Sequence, residues 1–157
     1  MSRYADYLRW LYRSGRPNGF ARLQNRASAT VFAAGLVPNR AAMLEVRGRR
    51  SGRIIKFPVV IADVGGDRYL VSMLGANANW VSNVRAAGGH AVLRHGRREH
   101  VRLDEVQPGE RAPILRRYLQ VAPGARPHMP VDRNAQLAEF DRIAGDYPVF
   151  WVRSAEA

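Results

Sequence analysis

Cysteine is absent from all 157 residues, which removes disulfides, thiolate nucleophiles and thiolate metal sites together and leaves the redox compartment open. Long apolar runs are missing too. The longest, Val31 to Val37 and Phe57 to Ala62, fall far short of the roughly 20 residues that cross a bilayer. The N-terminus carries Arg3, Asp6 and Arg9 among its apolar residues and so does not read as a secretory signal; the expectation is a soluble, cytoplasmic protein. Lysine is nearly absent. Lys56 is the one lysine among 25 basic residues, and the formal charge is +12. An arginine bias of this kind reads first as codon composition, yet the excess charge suits an anionic partner, and arginine is the better fork for phosphate and carboxylate. Nucleic acid is not that partner on this reading. The arginines are scattered along the chain, with no helix-turn-helix, zinc-finger or aromatic RNA-binding signature.

The length suits one core. Tyr4, Leu8, Leu11 and Tyr12 recur at helical spacing up to the break at Gly15 to Gly19, and Phe20 to Ala34 forms a second, basic amphipathic helix with Arg22 and Arg26 on its far side. Gly35 and Pro38 end it. Three strand-like runs follow, Ala41 to Arg47, Arg53 to Asp63 and Arg68 to Met73, set apart by Ser51 Gly52 and Gly65 Gly66 turns, as an antiparallel meander. The spacing of Trp80 and Val84 predicts a helix over Asn79 to Ala87, with Asn77 or Asn79 as its cap. Ala91 to Arg94 and Glu99 to Val106 make a hairpin. Helices around Ile114 to Leu119 and Leu137 to Ile143 flank a proline-rich loop, and Val149 to Val152 is a last, buried strand. The expectation is an α+β fold of six mainly antiparallel strands closed as a split β-barrel, since closure removes exposed edges. Residues 1–40 form a helical segment packed on a barrel domain of residues 41–157.

Two segments after strands carry residues suited to chemistry. Gly48 Arg49 Arg50 Ser51 Gly52 Arg53 is a tight turn with three guanidinium groups, a hydroxyl and glycine-exposed amides, a grip for phosphate or simply a solvated hairpin turn. Ser72 Met73 Leu74 Gly75 Ala76 Asn77 Ala78 Asn79 Trp80 is a small-residue loop feeding a helix N-terminus, where an anion sits well. Read blandly, it is a strand-to-helix connection with Trp80 as core anchor. His90, His95 and His100 alternate faces or sit at a turn, so no metal site is expected.

Together these segments resemble the deazaflavin-dependent nitroreductases, relatives of the split-barrel flavin-binding oxidoreductases. The resemblance rests on Gly48 Arg49 Arg50 Ser51 Gly52 followed by Pro58, on Ser72 Met73 Leu74 Gly75 running into Trp80 Val81 and Asn83 Val84 Arg85, and on the closing Asp146 to Val152. Met73 stands where the family has a loop lysine, Leu74 where it has a glycine, Ile55 where it has an arginine and Val81 where it has a tyrosine.

What the resemblance implies is coenzyme F420, a deazaflavin with a phosphodiester and an oligoglutamate tail, which would give the basic balance a purpose. Arg49, Arg50, Ser51, Gly52, Arg53, Lys56 and Pro58 would then hold phosphate and tail. Met73, Leu74, Gly75, Ala76, Asn77 and Asn79 would meet the phosphate or the ring edge, with Trp80 and Asn83 fixing the loop. The cofactor carries the hydride chemistry, and Tyr118 or His128 is the expected proton donor or acceptor-orienting group. The implied activity is hydride transfer from reduced F420 to a small electron-poor acceptor such as a quinone, a nitro compound or an activated double bond, by a monomer or homodimer. Two alternatives remain open. One keeps the barrel with flavin mononucleotide (FMN) as cofactor; the other is a non-catalytic barrel that binds a small or lipid-like ligand, with peripheral membrane contact through the 20–34 helix.

Overall fold

Antiparallel strands dominate residues 40–155, the part of the chain that this computed structural model describes. The expected helices at Tyr4 to Tyr12 and Phe20 to Ala34, with the packing of the N-terminal segment and its membrane contact, lie outside the described residues.

Strand β1 (Ala41–Arg47) forms a hairpin with β2 (Ile54–Val60), in register from Ala41 opposite Val60 to Arg47 opposite Ile54. The run expected as one strand from Arg53 to Asp63 breaks at Ile61. It resumes as β3 (Ala62–Val64), which pairs with β4 (Asp67–Val71). The sheet therefore has seven strands rather than six, in the order β2-β1-β5-β6-β7-β4-β3, with β5 spanning His90–His95, β6 Arg97–Glu105 and β7 Val149–Ser154. The expected meander holds as two hairpins, β1 with β2 and β3 with β4, which the break places at opposite edges of the sheet, with β7 as the second neighbour of β4. The break has a physical cause. β2 and β3 occupy opposite edges of the sheet but are joined by one residue, so the sheet must curl until its edges meet at Ile61, whose N–H donates to the Arg40 carbonyl at 2.6 Å. The apolar run Val59 Val60 Ile61 Ala62 continues through this corner without a mark.

Alternation along the strands sends neighbouring residues to opposite faces. Leu44, Val46, Leu70, Phe150 and Val152 pack with Trp80, Val81 and Val84 of helix α1 (Asn79–Ala86). Val71 and Val149 face the other way, against Ile114, Leu115, Tyr118 and Leu119 of α2 (Ala112–Val121) and Phe140 of α3 (Leu137–Ile143). Each large side chain so buried is worth about 1.5–3 kcal/mol, and the two clusters hold α1 on one face of the curl and α2 with α3 on the other. β7 lies between β6 and β4, which accounts for its apolar composition. The expected cap on α1 is corrected: Ala78 occupies the N-cap position, and no side chain bonds the first turn.

Candidate functional site

The β1–β2 turn is shaped by its own backbone. The Gly48 N–H donates to the Arg53 carbonyl at 2.7 Å and the Gly52 N–H to the Gly48 carbonyl at 2.9 Å. Ser51 Oγ accepts from the Arg53 N–H at 3.2 Å, and the Arg47 guanidinium donates to the Gly52 carbonyl at 2.8 Å. Gly52 has φ +72°, a left-handed conformation that favours glycine. At Gly48 a Cβ would lie 2.8 Å from Cδ1 of the exposed Ile55 side chain and 3.3 Å from the Arg53 carbonyl oxygen, so a side chain there would crowd the turn. The turn thus projects Arg50, Ser51 and Arg53 into solvent, with Lys56 exposed on the adjoining edge strand. Among the described residues, the charged heads of Arg50, Arg53 and Lys56 have no hydrogen-bond or ion-pair partner. Arg49 differs. Its backbone N–H and its guanidinium both donate to Asn83 Oδ1, at 3.1 and 2.8 Å.

Asn83 is buried on α1, one turn after Trp80, whose ring stacks on Phe57 of β2 with centroids 6.2 Å apart and tilts against Phe150 at 5.5 Å. The helix that follows the small-residue loop is therefore fastened to the arginine turn and to the strand after it. The loop is closed by a reciprocal pair, with buried Ser72 Oγ donating to the Gly75 carbonyl at 2.6 Å and the Gly75 N–H donating to the Ser72 carbonyl at 3.2 Å. Gly75 has φ +89°, and a Cβ there would meet the Asp146 carbonyl oxygen at 3.3 Å. Ala76 and Asn77 are exposed, and Asn79 is half-buried at the start of α1.

Met73, Leu74 and Gly75 line a cavity of about 300 Å³ together with His128, Asp146 and Tyr147. The far wall is well anchored. The Tyr147 hydroxyl donates to the His128 carbonyl at 3.0 Å, while buried Arg111 donates to the carbonyls of Val106, Ala144 and Tyr147 at 2.8, 2.9 and 3.3 Å and meets Glu105 at 3.2 Å. Burial pushes the Tyr147 phenol above its ordinary pKa, with Asp146 adding to the shift.

The structure thus brings His128 to the Met73–Gly75 loop, and it ties Arg49 to Asn83. Pro58 is half-buried on edge strand β2, opposite Met43, where its missing N–H costs the sheet nothing on the open side. Tyr118 sits elsewhere, buried in the α2 cluster and outside that cavity lining, with its phenol raised by loss of hydration. Sequence reading missed Phe57 as the stacking partner of Trp80, Tyr147 as part of the cavity wall, and Arg111 as the residue that ties the Tyr147 backbone in place. The aromatic stack had no local signal, because its members lie on different elements.

A family model described as F420H(2)-dependent quinone reductase matches residues 20–137, well over half of the chain. The chain belongs to that family. It is accordingly an oxidoreductase whose cofactor is coenzyme F420. No curated protein sequence matches it significantly. Its fold is similar to that of an F420-H2 dependent reductase, FDR-A, with TM-score 0.52 at 17% identity over 74% of this chain and 96% of that one. It is similar also to a chain solved as a domain-swapped dimer, with TM-score 0.54 at 15% identity over 85% and 97%. A third likeness is to a conserved hypothetical protein, Rv2991, from Mycobacterium tuberculosis, with TM-score 0.53 at 12% identity over 81% and 80%. Among the described residues, no helix is long and apolar enough to cross a membrane.

The donor set fits an F420-type ligand of this family. Most arginines of the sheet are consumed by carboxylates or carbonyls, such as Arg68 by Glu99, Arg94 by Glu45 and Arg153 by Asp104. Among the described residues, the exposed cations of the turn and of β2 have no such partner and are free to meet a phosphodiester and carboxylates.

Proposed function

We propose that this F420-dependent reductase holds the anionic part of its cofactor at the β1–β2 turn and reduces a small electron-poor acceptor, of the quinone, nitro or activated-alkene kind, beside the Met73–Gly75 loop. The observation that carries this is a set of three cations with no hydrogen-bond or ion-pair partner among the described residues, Arg50 and Arg53 at the turn and Lys56 on β2, the turn being fastened through Asn83 to the helix that follows the loop.

Reduced F420 supplies the hydride. The protein's work is binding, orientation and exclusion of water. Arg50 and Arg53 would pair with phosphate oxygens or tail carboxylates, with Lys56 extending the positive surface along the strand. Ser51, whose oxygen already accepts from Arg53, would offer its hydroxyl hydrogen. Gly75 lets a flat ring approach the backbone where a side chain would stand. Met73 and Leu74, in place of lysine and glycine, make this end of the site more apolar and shift the burden of charge recognition to the arginine turn. His128, lining the same cavity, would supply or steer the proton that the reduced acceptor needs. Tyr118 is assigned to packing, and residues 41–157 to a single cofactor-binding domain.

Side-by-side titration with oxidised F420 and with FMN tests the reading. Tighter binding of F420, weakening as salt screens the arginine turn, is the expected result. Equal or better affinity for FMN would overturn it.

A further inference from the structure

The two ends of the curled sheet are finished differently. At one end α1, tied to the β1–β2 turn through Asn83, packs its Trp80, Val81 and Val84 against the sheet. Among the described residues, the opposite end, where β1 begins, β2 ends and β5 turns into β6, holds a cavity of about 550 Å³ whose apolar lining is Ile61 and Leu93. That volume is in the range of small-molecule sites, and none of its lining residues belongs to the F420 site described above.

Its rim is ionic, but the charges are unequally committed. Asp63 is held by Arg40 and by Arg117. Glu99 takes a two-pronged pair from Arg68, both contacts at 2.8 Å, and that guanidinium holds its carboxyl below the usual glutamate range. Both carboxylates are thereby neutralised. Arg97 stands in the field of Glu99 but has no ion-pair or hydrogen-bond partner of its own among the described residues. His95 is aimed by its neighbour. Its Nδ1 lies 2.7 Å from the Ala41 carbonyl, and a carbonyl can only accept, so Nδ1 carries the proton and Nε2 is left for another partner. The cavity therefore combines an apolar floor, one uncommitted guanidinium and one oriented imidazole nitrogen.

We propose that this open end is a second binding site, for an organic anion with a short apolar body and a single carboxylate-like head. The body lies on Ile61 and Leu93, and the head meets Arg97. The site is independent of F420 recognition, since Arg97 lies on the β5–β6 hairpin and the cofactor cations on the β1–β2 turn.

The test uses the full chain, with the methyl groups of Ile61 and Leu93 followed by NMR during titration with octanoate and, separately, with octanol. Saturable shifts with octanoate, and binding of octanol weaker by about fivefold or more, are expected. Arg97→Ala should lose most of that discrimination. Arg97 is exposed beside a glycine turn, so the variant should fold, and its F420 affinity should equal that of the parent. The proposal is overturned if octanol binds as well as octanoate, if Arg97→Ala leaves octanoate affinity unchanged, or if neither probe moves those methyls. A parallel loss of F420 affinity in Arg97→Ala would also overturn it, by showing that the two ends are not separate sites.

Discussion

A single oxygen, Asn83 Oδ1, accepts both the backbone N–H and the guanidinium of Arg49, 34 residues earlier in the chain. Through it the arginine turn and the helix after the small-residue loop become one rigid piece. Arg49 thereby has one guanidinium nitrogen engaged in holding the turn to the helix.

Asn83→Ala should cost about 1–2 kcal/mol of stability, since a buried acceptor that satisfies two donors is removed. F420 affinity should fall as well, because the turn loses its anchor. Thermal melting and F420 titration on the same sample check this; a destabilised variant with unchanged affinity would show that the turn holds its shape without Asn83.

Arg50→Ala should leave the melting temperature unchanged and weaken F420 binding about 3- to 10-fold, the scale of one charge-assisted contact discounted for solvent. The salt dependence of binding should become shallower. Full affinity in a folded variant would make Arg50 an ordinary solvated turn residue.

Tyr118→Phe and His128→Gln separate packing from proton handling. Turnover of the tyrosine variant should stay within about twofold of the parent, whereas the histidine variant should lose on the order of 100-fold in kcat at neutral pH. The reverse pattern would move the proton donor to Tyr118.

Stability should be steady near neutral pH and fall in acid. Glu99 is held below its ordinary pKa of 4.5 chiefly by the Arg68 hydrogen bonds, and Glu105 chiefly by Arg85 with help from Arg111. With a folded-state pKa below the unfolded one, the contribution of each pair is complete above the unfolded value and disappears as pH drops through the folded value. Urea midpoints measured from pH 7 down to pH 3 should therefore decline below about pH 4.5, and Glu99→Gln with Glu105→Gln should flatten that decline. An unchanged slope would assign the acid sensitivity to other carboxyls.

Periodicity alone located most of the described elements. The Ile114 to Leu119 spacing, the hairpin around His95 and Gly96, and the apolar Val149 to Val152 strand are all encoded in neighbouring residues, and α1 ends within one residue of its expected limit. The cap on α1 was misread, because Asn77 and Asn79 are both good capping residues and the backbone used neither.

The residue types of the site were set by the chain itself: glycines at 52 and 75 where the backbone is left-handed, cations at 50, 53 and 56, and no cysteine to offer other chemistry. Those features are local, so they can be read in one dimension. Tertiary structure decided the rest. It broke an unmarked apolar run at Ile61 to roll the sheet, buried Tyr118 among helices, and brought His128 across to Gly75. It also sorted the arginines into those neutralised by a carboxylate from a distant strand and those left facing solvent. A charge does not reveal in sequence which partner will reach it, because that depends on distances that only the folded sheet sets.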